Sequence, residues 1–320
     1  MRLRAIVLAV LAVLLFGGCR RADEQPVARE PPRQVERPTA ADAITHPFLW
    51  AATKDGRVTY LFGTMHIGID ADRLPRSVWQ KLASARTFAM ESDNSDPSLM
   101  ELGRRASGSL AEDLGPAYFA KLERILGKDR AAAADPRSPV IAAIWMSTRE
   151  LPPTDQAMDH ALLEAARRDH KRVVYLELAS RQVEMLERLL DVRMLKLMLD
   201  DPDGGAKMQR EMLAAYLAGD ADRMLAAGAS ERAAALAHGF TADEYDAMTE
   251  EMVYRRNAAW IAAIEAVSAE RGGSGGAAGG GPAANDVAGF VAVGALHLIG
   301  PRSVVELLQK RGYDVVRVAN

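Results

Sequence analysis

Two segments of the chain repeat one layout: Tyr60-Leu-Phe-Gly63-Thr-Met-His66-Ile-Gly68 and Val291-Ala-Val-Gly294-Ala-Leu-His297-Leu-Ile-Gly300. In each, an apolar strand-like run meets Gly-x-x-His, and a glycine-containing turn, a helix and another strand follow. With 25 glycines and six histidines in 320 residues, about half a Gly-x-x-His match is expected by chance, so a single one means little. Two, each closing a strand in a β-α-β-like unit, constrain the chain to an α/β fold of two related halves. The imidazoles then stand at the carboxyl ends of strands, where open sheets hold ligands. Glycine at that point lets the backbone turn sharply and leaves room beside the ring.

The rest of the pattern agrees with this frame. Residues 58–62 form a β-branched and aromatic run between Asp55-Gly56 and Gly63, a helix is expected over 75–84, and 87–90 reads as a strand that delivers Glu91. Residues 98–269 are largely helical and alanine-rich, broken at Pro136, Pro139 and Pro152-Pro153. One strand, 172–176, interrupts this large helical middle section and delivers Glu177. A strand over 287–293, a helix over 301–310 with Pro301 in its first turn, and a strand over 313–318 close the chain. Met185, Met194, Met198, Met212 and Met252 recur at helical spacing and read as core filler. Residues 272–281 hold seven glycines and form a flexible insert. Its formal Gly-x-Ser-x-Gly lacks the strand and helix that a nucleophile elbow needs.

The chain begins with a basic Met1-Arg2-Leu3-Arg4 and an apolar run over 5–16, about 18 Å of helix and too short for a ~30 Å hydrocarbon core. Residues 1–18 therefore read as a secretory signal. Small residues precede Cys19, the only cysteine, which predicts a lipidated Cys19 and excludes disulfide and CxxC chemistry. Residues 19–47 carry five prolines among alternating charges and read as a disordered tether, with 48–320 as the folded domain. The expected location is the cell envelope, lipid-anchored and facing the periplasm, with Arg20 favouring the outer membrane. With 40 Lys+Arg against 43 Asp+Glu the net charge is −3, which argues against polyanion binding as the main business, so no nucleic-acid partner is expected.

An imidazole at a strand end serves as metal ligand, general base or satisfied core residue. Two in matching contexts, with Glu91 and Glu177 also at strand ends, point to a functional pocket. Two His plus carboxylates without cysteine suit a divalent Mn, Co or Zn ion. His46, His160, His170 and His238 are expected to be solvated.

These motifs resemble the TraB/GumN family, related to the Tiki membrane metalloproteases and to the ChaN-like haem-binding lipoproteins. Gly63-Thr64-Met65-His66 is similar to the family's first motif, and Glu91 to its glutamate after the next strand. Asp159 with Leu176-Glu177, then Gln182, resemble its central segment. Arg256-Asn257 before Trp260 resemble its Arg-Asn pair, and Gly294-Ala295-Leu296-His297-Leu298 its closing motif. Leu178 departs from the pattern, since many members carry Thr there. The resemblance runs from about Phe48 to Val318 and implies a mixed sheet flanked by helices and, for the Tiki branch, metal-dependent hydrolysis.

The expectation is a tethered metallohydrolase of peptide, other amide or ester bonds. His66, His297 and Glu91 would hold the metal, Glu177 would act as general base or orient an imidazole, and Arg256 and Asn257 would stabilise the oxyanion. For Glu177 and Arg256 a mutual buried salt bridge is the competing reading. The alternatives for the whole chain are a haem- or metal-capturing lipoprotein without turnover, and an inactive scaffold that kept the pocket. Cys19→Ser is expected to abolish lipid labelling and to alter processing, read by metabolic lipid labelling and membrane fractionation. Unchanged labelling and partitioning would contradict the anchor.

Overall fold

A computed structural model describes residues 44–93, 95–97, 99, 103–270 and 286–319. The signal segment 1–18, Cys19, most of the tether and the insert 272–281 lie outside the described residues. Six strands form one sheet in the order β4-β3-β5-β2-β1-β6. They are β1 (Leu49–Lys54), β2 (Arg57–Thr64), β3 (Thr87–Met90), β4 (Arg172–Tyr175), β5 (Asp286–Gly294) and β6 (Asp314–Arg317). Only β1 runs against the others, because it pairs antiparallel with both β2 and β6 while β2, β5, β3 and β4 pair in parallel. The sheet is mixed and the class is α/β, as expected.

Each Gly-x-x-His segment leads into a helix and then a strand. After β2 come a short 3-10 turn at Ala71–Arg73, the helix Arg76–Ser84 and β3. After β5 come a 3-10 turn at Ala295–His297, the helix Val304–Lys310 and β6. The two crossovers diverge: β3 lands one strand away from β2, across β5, whereas β6 passes β2 and β1 to reach the far edge.

Three details differ from the sequence expectation. β1 was not anticipated, since Leu-Trp-Ala-Ala-Thr-Lys has little β-branched character; a hairpin creates it. Asp55 and Gly56 both take positive φ, 51° and 74°, the two-residue turn that matches strand twist. The last helix starts at Val304 rather than in the turn at Pro301, because Arg302 sits at φ 57° and the Ser303 hydroxyl caps the Glu306 amide. Finally, Ile44 and Pro47, placed in the tether by the sequence, are buried, and the Ile44 amide donates to the Arg73 carbonyl at 3.0 Å. Being apolar, they gain more from burial than an extended tether offers.

β5 lies inside the sheet and its side chains from Ala288 to Val293 are buried. Phe290 packs between Phe62 and Phe88, with ring centroids 6.0 and 6.3 Å away. The helices from Leu110–Leu114 to Ala242–Thr249 form the middle section, and all five methionines named above are buried. Among the described residues no helix is long and apolar enough to cross a membrane.

At the end of β2 the packing is tight. A Cβ added to Gly63 would lie 2.8 Å from the Ala295 Cα and 3.0 Å from the Phe48 Cβ. The Tyr216 hydroxyl donates to the Gly63 carbonyl at 2.7 Å, and the Tyr216 ring stacks on Phe48. Gly63→Ala is therefore expected to lower unfolding free energy by about 1–3 kcal/mol, measured by denaturant titration. An unchanged midpoint would contradict this packing.

Candidate functional site

The sheet order sets the candidate residues in a row. β4, β3, β5 and β2 are consecutive and parallel, with Thr64 level with Gly294 and Met90 level with Ala292. Their carboxyl ends deliver Glu177, Glu91, the turn to His297 and His66 in that order. The Glu177 amide donates to the Glu91 carbonyl at 2.9 Å, one rung beyond the strands. All four residues predicted at strand ends are brought together.

Glu91 is the centre. Its Oε1 accepts the Gly294 amide at 2.7 Å and lies 3.9 Å from both His66 Nε2 and His297 Nε2. The two ring nitrogens are therefore no more than 7.8 Å apart. Gly294 stands between them: a Cβ there would lie 2.9 Å from His66 Nε2 and 3.4 Å from Glu91 Oε1. The motif glycine is thus a steric requirement of the cluster.

Each imidazole is oriented from behind. His66 Nδ1 donates to Asp159 Oδ2 at 2.7 Å, and Asp159 Oδ1 accepts the Thr64 hydroxyl at 2.9 Å. His297 Nδ1 donates to Asn257 Oδ1 at 2.7 Å, while the Asn257 amide group donates to the Arg302 carbonyl at 2.9 Å. With each Nδ1 donating, a ring in its neutral form carries its lone pair on Nε2, the nitrogen nearer Glu91.

Arg256 and Asn257 reach the cluster from the helix Arg255–Ala269, which packs across β2, β3 and β5. A π-helical turn, Glu250–Tyr254, precedes it. Such widened turns recur at functional sites because they reset the phase of the side chains that follow. The Arg256 guanidinium donates to Glu91 Oε2 at 2.6 Å and to Glu177 Oε1 at 2.5 Å, with Nε also on Glu177. Its Nη1 donates to the Met252 carbonyl at 3.1 Å and to His297 Nε2 at 3.2 Å. The mutual salt bridge of Glu177 and Arg256 is present, and Asn257 sits behind His297 with both ends of its amide engaged. Gln182 adds a donor to Glu91 Oε2 at 3.3 Å and takes the Ser92 hydroxyl at 2.8 Å. Trp260 lies under this group, 4.6 Å from the His297 ring and 4.8 Å from the Arg256 guanidinium.

Glu91 and Glu177 face one permanent cation, Arg256, while a third carboxylate, Asp159, sits behind His66. The charges separate the titrations. Burial would raise Glu91, but Arg256 and the two histidines outweigh it and hold Glu91 at about 2. Burial dominates at Glu177 and leaves it raised despite the same guanidinium. Burial, aided by the Arg256 and His66 charges, brings His297 down to about 3 against the pull of Glu91, so its ring stays neutral. At His66 burial lowers the pKa, yet the Asp159 charge and hydrogen bond together with the Glu91 charge overcome it and raise it. Two carboxylates on one guanidinium thus diverge, the pattern of an ionised ligand beside a proton carrier.

The donor set suits a divalent cation. His66 Nε2 is buried and accepts no hydrogen bond. Both Nδ1 groups are held by oxygen acceptors, the arrangement that orients metal-binding imidazoles. Excess negative charge surrounds the same point. The 3.9 Å separations exceed the ~3.4 Å that tetrahedral bonds of ~2.1 Å give, so the cluster stands open by about half an ångström. As placed, no group of three or more His, Cys, Asp or Glu among the described residues could hold a metal ion.

Sequence reasoning assigned no role to Thr64 or Tyr216. Asp159 and Gln182 entered only through the family resemblance. Asp159 opens the helix Met158–Arg168 and is buried, a placement that an acidic residue in an apolar first turn could have signalled. His46, His170 and His238 are exposed and His160 is half-exposed, away from the cluster.

Compared with known proteins, the chain matches the model of the TraB/PrgY/gumN family over residues 48–317. It is similar to the uncharacterized protein YbaP of Shigella flexneri, 24% identical over 279 residues, covering 83% of this chain and 93% of that protein. It is also similar to the uncharacterized protein YbaP of Escherichia coli (strain K12), 24% identical over 289 residues, 82% of this chain and 97% of the relative. No solved structure matches.

The depressed values fix the acid behaviour of the metal-free protein. His297 and Glu91 contribute stability that is complete above 6.5 and 4.5 and is lost as pH falls toward about 3 and about 2. The raised His66 stabilises below its folded value and is fully in place by pH 6.5. The raised Glu177 works against the loss as pH falls from its folded value to 4.5. The Tm in chelator is expected to fall steadily from pH 6.5 to 3. A flat Tm over that range would contradict the buried neutral His297.

Proposed function

The chain belongs to the TraB/PrgY/gumN family, and from that premise and the cluster geometry we propose a metal-dependent hydrolase of peptide, other amide or ester bonds. The observation that carries this reading is the buried, unbonded Nε2 of His66, set with His297 Nε2 around one oxygen of Glu91. His66, His297 and Glu91 would hold a Mn, Co or Zn ion. When bound, such an ion polarises the substrate carbonyl and acidifies water toward a pKa of ~7.

The protein's own groups do the remaining work. Asp159 and Asn257 keep both Nδ1 atoms protonated and both Nε2 lone pairs directed inward. Glu91 stays ionised because Arg256, Gly294 and Gln182 all donate to it. Glu177, raised by burial and 13% exposed, would accept a proton and return it to the leaving group. Arg256 supplies the charge that keeps Glu177 close to the cluster. Asn257 acts as a positioning residue, since its donor is engaged with the Arg302 carbonyl. The haem alternative is the weaker reading, since His297 is 1% exposed and its ring lies 4.6 Å from that of Trp260. Attachment to the envelope through a lipid on Cys19, facing the periplasm, completes the proposal.

Two variants test it. His66→Ala is expected to lose most bound metal, measured by elemental analysis after dialysis. Glu177→Gln is expected to keep metal and lose about 10²–10⁴-fold in turnover. Full activity in chelator-stripped protein, or metal retention in His66→Ala equal to wild type, would overturn the reading.

A further inference from the structure

The turn that follows His66 is tied to the segment that leads into Asp159. The Gly68 amide donates to the Thr154 hydroxyl at 2.6 Å, and the Ala71 amide donates to the Gln156 carbonyl at 2.9 Å. Between them, Asp70 Oδ1 accepts two backbone amides, those of Asp155 and Gln156, at 2.8 Å each. The Asp70 backbone also pairs with Ala157 in an isolated antiparallel bridge. One half-buried side chain therefore supplies two of these four hydrogen bonds.

The tie ends where a helix begins. Asp159 lies in the first turn of the helix Met158–Arg168, and the N-cap residue, Ala157, gives that turn no side-chain hydrogen bond. A first turn without a cap leaves its amides unsatisfied and tends to fray. Fraying here would carry away the carboxylate that accepts the His66 Nδ1–H at 2.7 Å and the Thr64 hydroxyl at 2.9 Å. The anchor comes instead from outside the helix, from the residue four places beyond His66. A closed circuit results: His66 to Asp70 along the chain, Asp70 to 155–156 through hydrogen bonds, then Asp159 back to His66. His297 is held differently. Its partner Asn257 sits in the helix Arg255–Ala269, which continues without a break from the π-helical turn before it, so no strap of this kind is needed.

We propose that Asp70 is a positioning residue: it straps residues 155 and 156 to the His66 turn and so keeps Asp159 on the His66 ring. The role deepens the hydrolase reading and rests on it where metal is concerned, because a ring that loses its Nδ1 partner no longer holds Nε2 toward Glu91.

The test uses the full-length protein with 15N-labelled histidine, as wild type, Asp70→Ala, Asp70→Asn and Thr154→Val. NMR reads the exchange of each imidazole Nδ1–H with solvent in chelator, and competition with a chelator reads Zn²⁺ affinity. In Asp70→Ala the His66 Nδ1–H is expected to exchange about 10-fold faster, the opening that follows loss of two ordinary hydrogen bonds. The His297 Nδ1–H in the same molecule should be unchanged, which a general loss of stability would not allow. Zn²⁺ affinity should fall about 10-fold. Asp70→Asn keeps an acceptor oxygen and should restore both values. Should Asp70→Ala not fold, Thr154→Val, which loses only the Gly68 contact, decides by a smaller change in the same direction. Equal acceleration at both imidazoles, or none at His66, overturns the inference and leaves the hydrolase reading standing. No Zn²⁺ binding by wild type overturns the hydrolase reading and, with it, the part of Asp70 in metal affinity.

Discussion

The buried guanidinium of Arg256 is the interaction on which the site depends. It binds Glu91 and Glu177 together and donates to His297 Nε2, tying residues delivered by three neighbouring strands. Removing one partner of such a group leaves an uncompensated buried charge, which typically costs 3–5 kcal/mol. One guanidinium does not neutralise the cluster, however. Asp159 adds a third carboxylate behind His66, and the excess negative charge raises His66 despite its burial. A proton on His66 answers part of that excess; a divalent cation between the two imidazoles and Glu91 would answer more of it. The same charge pattern therefore explains the shifted titrations and the affinity proposed for metal.

The sheet makes this arrangement geometrically available. Four parallel strands end within two residues of one another, so residues remote in sequence arrive within hydrogen-bond reach without long loops. Gly294 keeps the space between the imidazoles open, and Gly63 lets β2 close against Ala295 and Phe48. The helices contribute what strand ends cannot: Asp159 and Asn257 behind the rings, Gln182 beside Glu91 and Tyr216 on the Gly63 carbonyl. The π-helical turn before Arg256 fits the same logic, because two adjacent helical residues both have to serve one cluster.

What was legible in the sequence followed from periodicity and punctuation. β2, β3 and β5 are apolar runs with clear stops, and the glutamates behind β3 and β4 were readable as strand-end residues. β1 was not, because its alanines carry little strand preference and its pairing is imposed by the Asp55-Gly56 turn. The partners of the histidines were hidden for a different reason. Asp159 and Asn257 lie 93 and 40 positions from their rings, and only the folded sheet brings them close. Leu178 was visible as a departure from the family pattern, yet its exposure belongs to the three-dimensional arrangement.

The central claim is that the charge left over by Arg256 is met by a metal ion between His66, His297 and Glu91. A crystal structure of protein soaked in Mn²⁺ or Zn²⁺, with anomalous data at the metal edge, tests it most directly. The account predicts one peak about 2.1 Å from both Nε2 atoms and from Glu91 Oε1, with Arg256 Nη1 displaced from His297. An empty cluster at saturating metal, with Arg256 Nη1 still donating to His297, would contradict it.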